Sequence, residues 1–363
     1  MHPLLRNLFV IFLITCRCYG LYAQNTSPAS GSDSLSISSR QALFNSDIPL
    51  EITLVSDFKR LVNEKKKEPA YLPATLILNS DSGTRHFDIK IKSRGLSRRT
   101  YDICSFPPLW LNFRKNTIQN SVFENQDKLK LVTYCRNTDL NEEYILEEYL
   151  IYKMFNLLTG SSYQIRLVQV TYRDESDKIK PITRFGFIIE SDEKLAERNH
   201  AVITKTVLAN QDRCDIHSID LFTLFQYMIG NTDWWVLNFH NVTLIQPEGK
   251  APVPVPFDFD YSGAINTPYA VVDPNLPVKT VRERYFRGYC RLPGTYEKTA
   301  SIFNSNRDSI YSLYRGFTMA DPKRIESTLK YYDNFYQIIN DPKDIVGNIY
   351  DACELHHKHL HQQ

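Results

Sequence analysis

The stretch KLKLVTYCRNTDLNEEYILEEYLIYKMFNLLTG, residues 128–160, decides how the chain is read. KLKLVTY (128–134) alternates lysine with apolar residues, the period of a half-buried strand. In NEEYILEEYLIYKMFNLLTG (141–160), Ile145, Tyr149, Tyr152 and Phe155 recur at three- and four-residue steps. Acids crowd the first turn and Gly160 ends the run, which predicts a helix. Upstream, PLEITLV (49–55), ATLILN (74–79), FDIKIKS (87–93) and LWLNF (109–113) read as strands, with turns at DSG (81–83) and RGLS (94–97). Downstream, YQIRLVQVTY (163–172) and TRFGFIIES (183–191) continue the pattern. A sheet wrapped around one helix is the expectation for residues 41–195.

Beyond residue 195 the character changes. IDLFTLFQYMIG (219–230) is an apolar helix, and two or three more helical segments follow from about residue 296. Between them, NVTLI (241–245) and PVPVPF (252–257) form a strand pair joined by PEGKA. The expected fold class is therefore α+β in two lobes, a β-rich one over 41–195 with one main helix and a mainly α one over 196–363.

The chain of 363 residues is 42% hydrophobic and 12% aromatic, enough for a sizeable core. Residues 1–23 combine Arg6, an apolar stretch from Leu8 to Thr15 and Ala23, and read as a cleavable secretory signal. The stretch is shorter than the roughly 20 residues of a spanning helix, so no stable membrane span is expected after cleavage. Residues 24–40 are serine-rich and read as a flexible tether. The expected destination is the periplasm, the cell surface or the extracellular space.

Removing residues 1–23 takes away Arg6 and Arg17 and leaves 41 basic against 41 acidic residues, a balance that does not favour nucleic acid. The five later cysteines are dispersed, with no CxxC pair, which argues against zinc and permits one or two disulfides with a thiol left over. No GxSxG occurs, so serine-hydrolase chemistry has no support.

The chemistry-bearing stretch is GNTDWWVLNFHNVTLIQPEGKAPVPVPFDFD (230–260), which carries Asp233, Asn238, Asn241 and, after a hairpin, Asp258 and Asp260. In phosphoryl transfer an Asp orients the acceptor hydroxyl, a downstream Asn helps hold Mg²⁺, and a returning chain brings an Asp to the metal. Such oxygen ligands suit a hard cation. Lys130, with Lys128 as a rival on the same strand face, is the candidate cation for the nucleotide phosphates, paired with a helical glutamate, Glu147 or Glu148. No GxGxxG loop is present; SRGLSRR (93–99), beginning at Ser93 and Arg94, can supply backbone donors and guanidinium forks instead.

Blander readings stand beside these. Asp258 and Asp260 can cap a turn, and Glu147 and Glu148 can answer a helix dipole. Trp234 and Trp235 read as packing, and the histidine tail HHKHLHQQ (356–363) as a solvated end. Arg282, Arg284, Arg287 and Arg291 are dense enough to meet an acidic or phosphorylated partner, or to form an ordinary charged helix.

IKSRGLS, KLKLVTYCRNTDLNEEYILEEYLIYKMFN, FGFIIES, MIGNTDWWVLNFHN and VPFDFDYS, taken in order over residues 85–265, resemble the spore-coat protein H (CotH) kinase family. The resemblance implies a two-lobed protein-kinase-like fold and ATP-dependent, Mg²⁺-assisted phosphorylation of a hydroxyl on a protein or other acceptor. It makes Asp233 the catalytic residue, Asn241 or Asn238 a metal ligand, Asp258 the main metal carboxylate and Asp260 an assistant. It also sets Glu190 near the adenine side. The chain departs from the family after the RGLS turn, where SFPPLWLNF stands in place of lysines, and in the long segment after DFD. The alternative is a catalytically silent module that binds a partner in the cell envelope.

Overall fold

In the computed structural model, residues 43–64, 68–80, 83–95, 97–99, 103–178, 180–205 and 210–353 are described. The expected leader, tether and histidine tail lie outside them. Among the described residues ten strands and seven α-helices follow one another. They run β1 (Leu50–Ser56), α1 (Phe58–Asn63), β2 (Leu72–Ser80), β3 (Gly83–Ser93), β4 (Leu109–Asn112), β5 (Lys128–Val132) and α2 (Asp139–Leu158). Next come β6 (Ile165–Asp174), β7 (Ile182–Ile189), α3 (Asp192–Arg198), β8 (Ala201–Ile203), α4 (Ile216–Ile229), β9 (Val242–Pro247) and β10 (Val253–Pro256). The chain ends in α5 (Thr295–Arg315), α6 (Pro322–Asn340) and the short α7 (Pro342–Ile345).

The first seven strands close into a barrel in the order β1-β2-β3-β4-β5-β7-β6. Neighbours are antiparallel except at the seam, where β6 lies parallel to β1 with Leu50 opposite Val168 and Ser56 opposite Asp174. Closure removes the open edges that a sheet would otherwise expose. Alternate residues fill the interior, among them Leu54, Leu76, Phe87, Ile91, Leu111, Leu129 and Val170. The small second sheet runs β10-β9-β8.

This corrects two expectations. The sheet does not wrap around the helix; it closes on its own side chains, and α2 lies outside against residues that face away from the interior, such as Val132, Leu167 and Phe187. Nor does the chain adopt the two-lobed, protein-kinase-like fold. Apart from the barrel interior, one continuous core joins α2 to Phe225 of α4, Phe303 and Tyr314 of α5, and Leu329 and Phe335 of α6.

Helix α2 starts two residues before the predicted stretch, where the Thr138 side chain accepts a hydrogen bond from the Asn141 amide and Asp139 and Glu142 sit in the first turn. Glu147 and Glu148 are thus more than two turns inside the helix and buried, so the dipole reading of these acids does not hold. Each meets an arginine instead. Glu147 takes Arg324 of α6 at 2.6 Å, and Glu148 faces Arg98 at 3.6 Å. Helix α4 ends at Gly230, whose φ of +65° is the left-handed cap that glycine adopts without strain, and a Cβ there would run into the Tyr331 hydroxyl.

Among the described residues two disulfides are formed, with Cys104, Cys135 and Cys353 buried. Cys104–Cys135 fastens the segment after Arg98 to the end of β5, and Cys290–Cys353 ties the approach to α5 to the C-terminal turn. Cys214 is the remaining thiol among the described residues; burial pushes its pKa up to about 12, so it is no nucleophile near neutral pH. No helix among the described residues is long and apolar enough to cross a membrane.

Candidate active site

The loop after α4 is shaped from below by Asn231. This buried amide accepts from the Asp233 N–H at 3.0 Å and donates to Gln226 Oε1 at 3.0 Å, while its carbonyl accepts from Trp234 Nε1 at 3.1 Å. Trp234 is buried edge-on against Phe222. The packing tryptophan therefore turns Asp233 outward, where it remains about one-third exposed.

Two neighbours hold the Asp233 carboxylate. Asn241 donates Nδ2 to Asp233 Oδ2 at 3.0 Å and to its carbonyl at 2.7 Å, and His240 Nε2 lies 2.8 Å from Oδ1. The hydrogen bond to Asp233 raises the His240 pKa above that of a free imidazole, and the charge of Asp258 adds to the rise. Asp258 is thus within electrostatic reach of the pair. Asn238 is exposed and turns its Oδ1 to the His240 amide, so of the two asparagines it is Asn241 that touches Asp233.

Asn241 also fastens the chain just ahead of the second acid. Its carbonyl accepts from the Phe257 amide at 3.1 Å, just before Asp258. Both Asn241 (φ +54°) and Asp258 (φ +62°) sit in the left-handed region that non-glycine residues rarely adopt. Helix α2 holds that conformation. Tyr152 Oη accepts from the Asp258 amide at 2.9 Å and Glu148 Oε1 accepts from the Phe259 amide at 3.3 Å, while Phe259 is buried against Tyr152. The Asp258 carboxylate is half-buried and forms no ion pair among the described residues.

Asp260 has the opposite surroundings. It is buried, and Arg98 Nη2 and Nε close on its Oδ2 at 2.8 and 2.9 Å. Arg98 also donates to Tyr269 Oη at 3.2 Å. Burial opposes the Arg98 charge, but Asp260, Tyr269 and Glu148 hold it firmly protonated. Burial pushes Glu148 up to about 8 against the pull of Arg98. An Asp260 engaged in this way positions the loop instead of reaching outward to assist Asp258.

The expected partnership of Lys130 with Glu148 is not formed. Lys130 points across the barrel rim to Asp192 at 2.7 Å, with its ammonium 5.8, 5.5 and 5.2 Å from the ring centres of Trp110, Tyr163 and Phe257. Burial would raise the Asp192 pKa, but the Lys130 charge and hydrogen bonds from Lys130 and Tyr163 hold it below the usual carboxylate range. Glu148 lies deeper, where a lysine on β5 does not reach. Lys130, its rival Lys128, Trp110, Asp192 and Lys194 line a cavity of about 560 Å³, within the size range of small-molecule sites.

Glu190 does not face that cavity; it is buried against Arg198 at 3.0 Å and accepts from the Gln164 amide. Arg94 is better placed. Its side chain lies beside the Trp110 ring, its buried Nε has no partner among the described residues, and its charge bears on Tyr152 under the Asp258 turn.

Several contributors escaped the sequence reading. Arg98 was visible only as one of three arginines in SRGLSRR, and two consecutive acids inside an otherwise apolar helix were the sign that buried cations must exist. His240 and Tyr269 carried no signal of their own, and Tyr152 was legible only as one of the periodic residues of the helix. Among the described residues no group of three or more His, Cys, Asp or Glu side chains is placed to hold a metal. A cation at Asp258 would therefore rest on one carboxylate, the Asn241 amide and oxygens brought by a ligand, a donor set that suits Mg²⁺ on phosphates. No protein-family model matches the chain, and no curated protein matches it.

Proposed function

We propose that this protein is a Mg²⁺-dependent phosphotransferase of CotH type, which passes the γ-phosphoryl group of ATP to a hydroxyl of a protein or other acceptor. The observation that carries the reading is the arrangement around Asn241, whose side-chain amide holds the half-buried Asp233 carboxylate while its backbone carbonyl accepts from the Phe257 N–H next to the half-buried Asp258. Asp233 accepts the acceptor's hydroxyl proton, and Asn241 and His240 fix its orientation. Asp258 and the Asn241 amide are the residues that would hold Mg²⁺, which when bound neutralises charge on the transferring phosphates. Arg94 and Lys130 are the cations nearest the phosphate path, and Trp110 offers a ring face to a base. The two disulfides support the expectation of export to an oxidising compartment.

The second reading, a silent binding module of the cell envelope, draws support from Lys130 and Asp260, both already satisfied by internal partners. Incubating the purified chain with Mg²⁺ and γ-labelled ATP, with the chain itself and casein as acceptors, separates the two. Transfer that falls about 10²–10⁴-fold in Asp233→Asn, the usual cost of losing a general base, supports the enzyme. Transfer equal to that of the parent removes Asp233 from the mechanism, and no transfer with no ATP binding favours the module.

A further inference from the structure

The cavity of about 560 Å³ beside Lys130 is walled in part by Gln126, a residue only 4% exposed. Its side-chain amide forms no hydrogen bond among the described residues. Nor is that amide sealed away, as the unpartnered Gln211 Oε1 and Gln226 Nε2 are. It opens to the cavity that the residue lines. An amide whose donor and acceptor the fold leaves unused is an incomplete site, and a ligand completes it.

The backbone under Gln126 is fixed on both sides. Its N–H donates to the Phe123 carbonyl at 3.0 Å, and the next carbonyl, that of Asp127, accepts from the Phe113 N–H at 2.8 Å. Phe123 is fully buried, with its ring centre 5.8 Å from that of Phe87 and 5.0 Å from that of Phe113. The barrel core therefore presents the amide at a set place, which lowers the ordering cost of binding.

Charge points the same way. Among the described residues four lysines line the cavity and four carboxylates match them, with Lys130–Asp192 and Lys194–Glu197 paired at 2.7 Å each. A wall without net charge does not favour a triphosphate. Arg94, which lies beside Trp110 but does not line the cavity, is left for the phosphates. What the cavity itself offers is a half-buried tryptophan ring and, at Gln126, a donor next to an acceptor, which together suit a neutral, planar group.

We propose that Gln126 selects the base of the nucleotide: its Oε1 accepts from the 6-amino group of an adenine laid against Trp110, and its Nε2 donates to the ring nitrogen beside that group. An amide side chain reads adenine in nucleic acids through the same donor and acceptor pair. The identity of the ligand rests on the phosphotransfer reading; the residue that sets base preference is new to it.

Calorimetric titration of the full chain without Mg²⁺ tests this, with adenosine and purine riboside as probes, the second lacking only the 6-amino group. Adenosine binds about tenfold more tightly than purine riboside, the worth of a good side-chain contact to a base edge. Gln126→Leu brings adenosine down to the level of purine riboside, and Asp258→Asn leaves both nucleosides unchanged. The comparison within the parent holds even if Gln126→Leu disturbs the fold. No binding of adenosine, equal affinity of the two nucleosides for the parent, or a preference that survives in a folded Gln126→Leu overturns the proposal. Phosphoryl transfer from ATP with equal nucleoside affinities strikes the base site alone, whereas a tenfold adenosine preference without any transfer upholds the base site and strikes the phosphotransfer reading.

Discussion

Asp258 and Asp260 stand two residues apart, yet the fold treats them in opposite ways. Asp260 is buried and clamped by Arg98, with Glu148 and Tyr269 completing a sealed network. Asp258 is half-buried, carries a left-handed backbone and shares its surroundings with Asp233, Asn241 and His240. The residue type is the same; the depth of the partner decides the role. A carboxylate clamped by a buried cation is committed to structure, whereas a half-buried one without an ion pair stays available for chemistry.

Disturbing the sealed side should have the largest effect on stability. Arg98→Met strands Asp260 and Glu148 without their cation and should cost about 3–5 kcal/mol in chemical denaturation; a loss below about 1 kcal/mol would mean that the two sides do not differ. Removing Cys104–Cys135 as a double serine variant should cost about 3–4 kcal/mol, the loop-closure value for its span of 31 residues. The variant should also loosen the Arg98 segment, which proteolysis near residues 94–106 would reveal.

A smaller effect comes from pH. Glu148 titrates at about 8 and Glu147 at about 7 in the folded chain, both raised first by burial. Groups raised in this way favour the fold while protonated, so their contribution is complete below the ordinary glutamate range and is lost as pH climbs through 7 and 8. His240, raised by Asp233, acts in the same direction. The melting temperature should therefore fall between about pH 5 and pH 8, and Glu148→Gln should flatten part of the slope; a rise over that range would contradict the burial account.

Every strand but the three-residue β8, and the central helix, were legible in the sequence to within a few residues, because each carries its own apolar period; β8 (Ala201–Ile203) is too short to show one. Barrel closure was not, since β6 meets β1 through Val168 and Leu50, more than a hundred residues apart, and pairing at that distance leaves no local pattern. The site divides in the same way. Asp233, Asn241 and Asp258 lie in one loop-hairpin-loop stretch whose order could be read directly. Arg98 and Asp260, separated by 162 positions, could not be joined by any spacing argument. Lys130 and Glu148 were misjoined because strand and helix periodicity fix a face, not a depth.

On the open side, Asp258→Asn should change stability by no more than about 1 kcal/mol, because asparagine keeps the side chain's shape, tolerates the left-handed backbone and leaves the bond from the 258 amide to Tyr152 in place. The same variant provides the most direct test of the whole account. Thermal melting of the parent and of Asp258→Asn is followed with ATP, with and without Mg²⁺, since a ligand of the native state raises its melting temperature by mass action. The account predicts a Mg²⁺-dependent rise for the parent that disappears in Asp258→Asn while the melting temperature without ligand stays nearly the same. An equal rise in both proteins, or none in the parent at millimolar ATP, would contradict it.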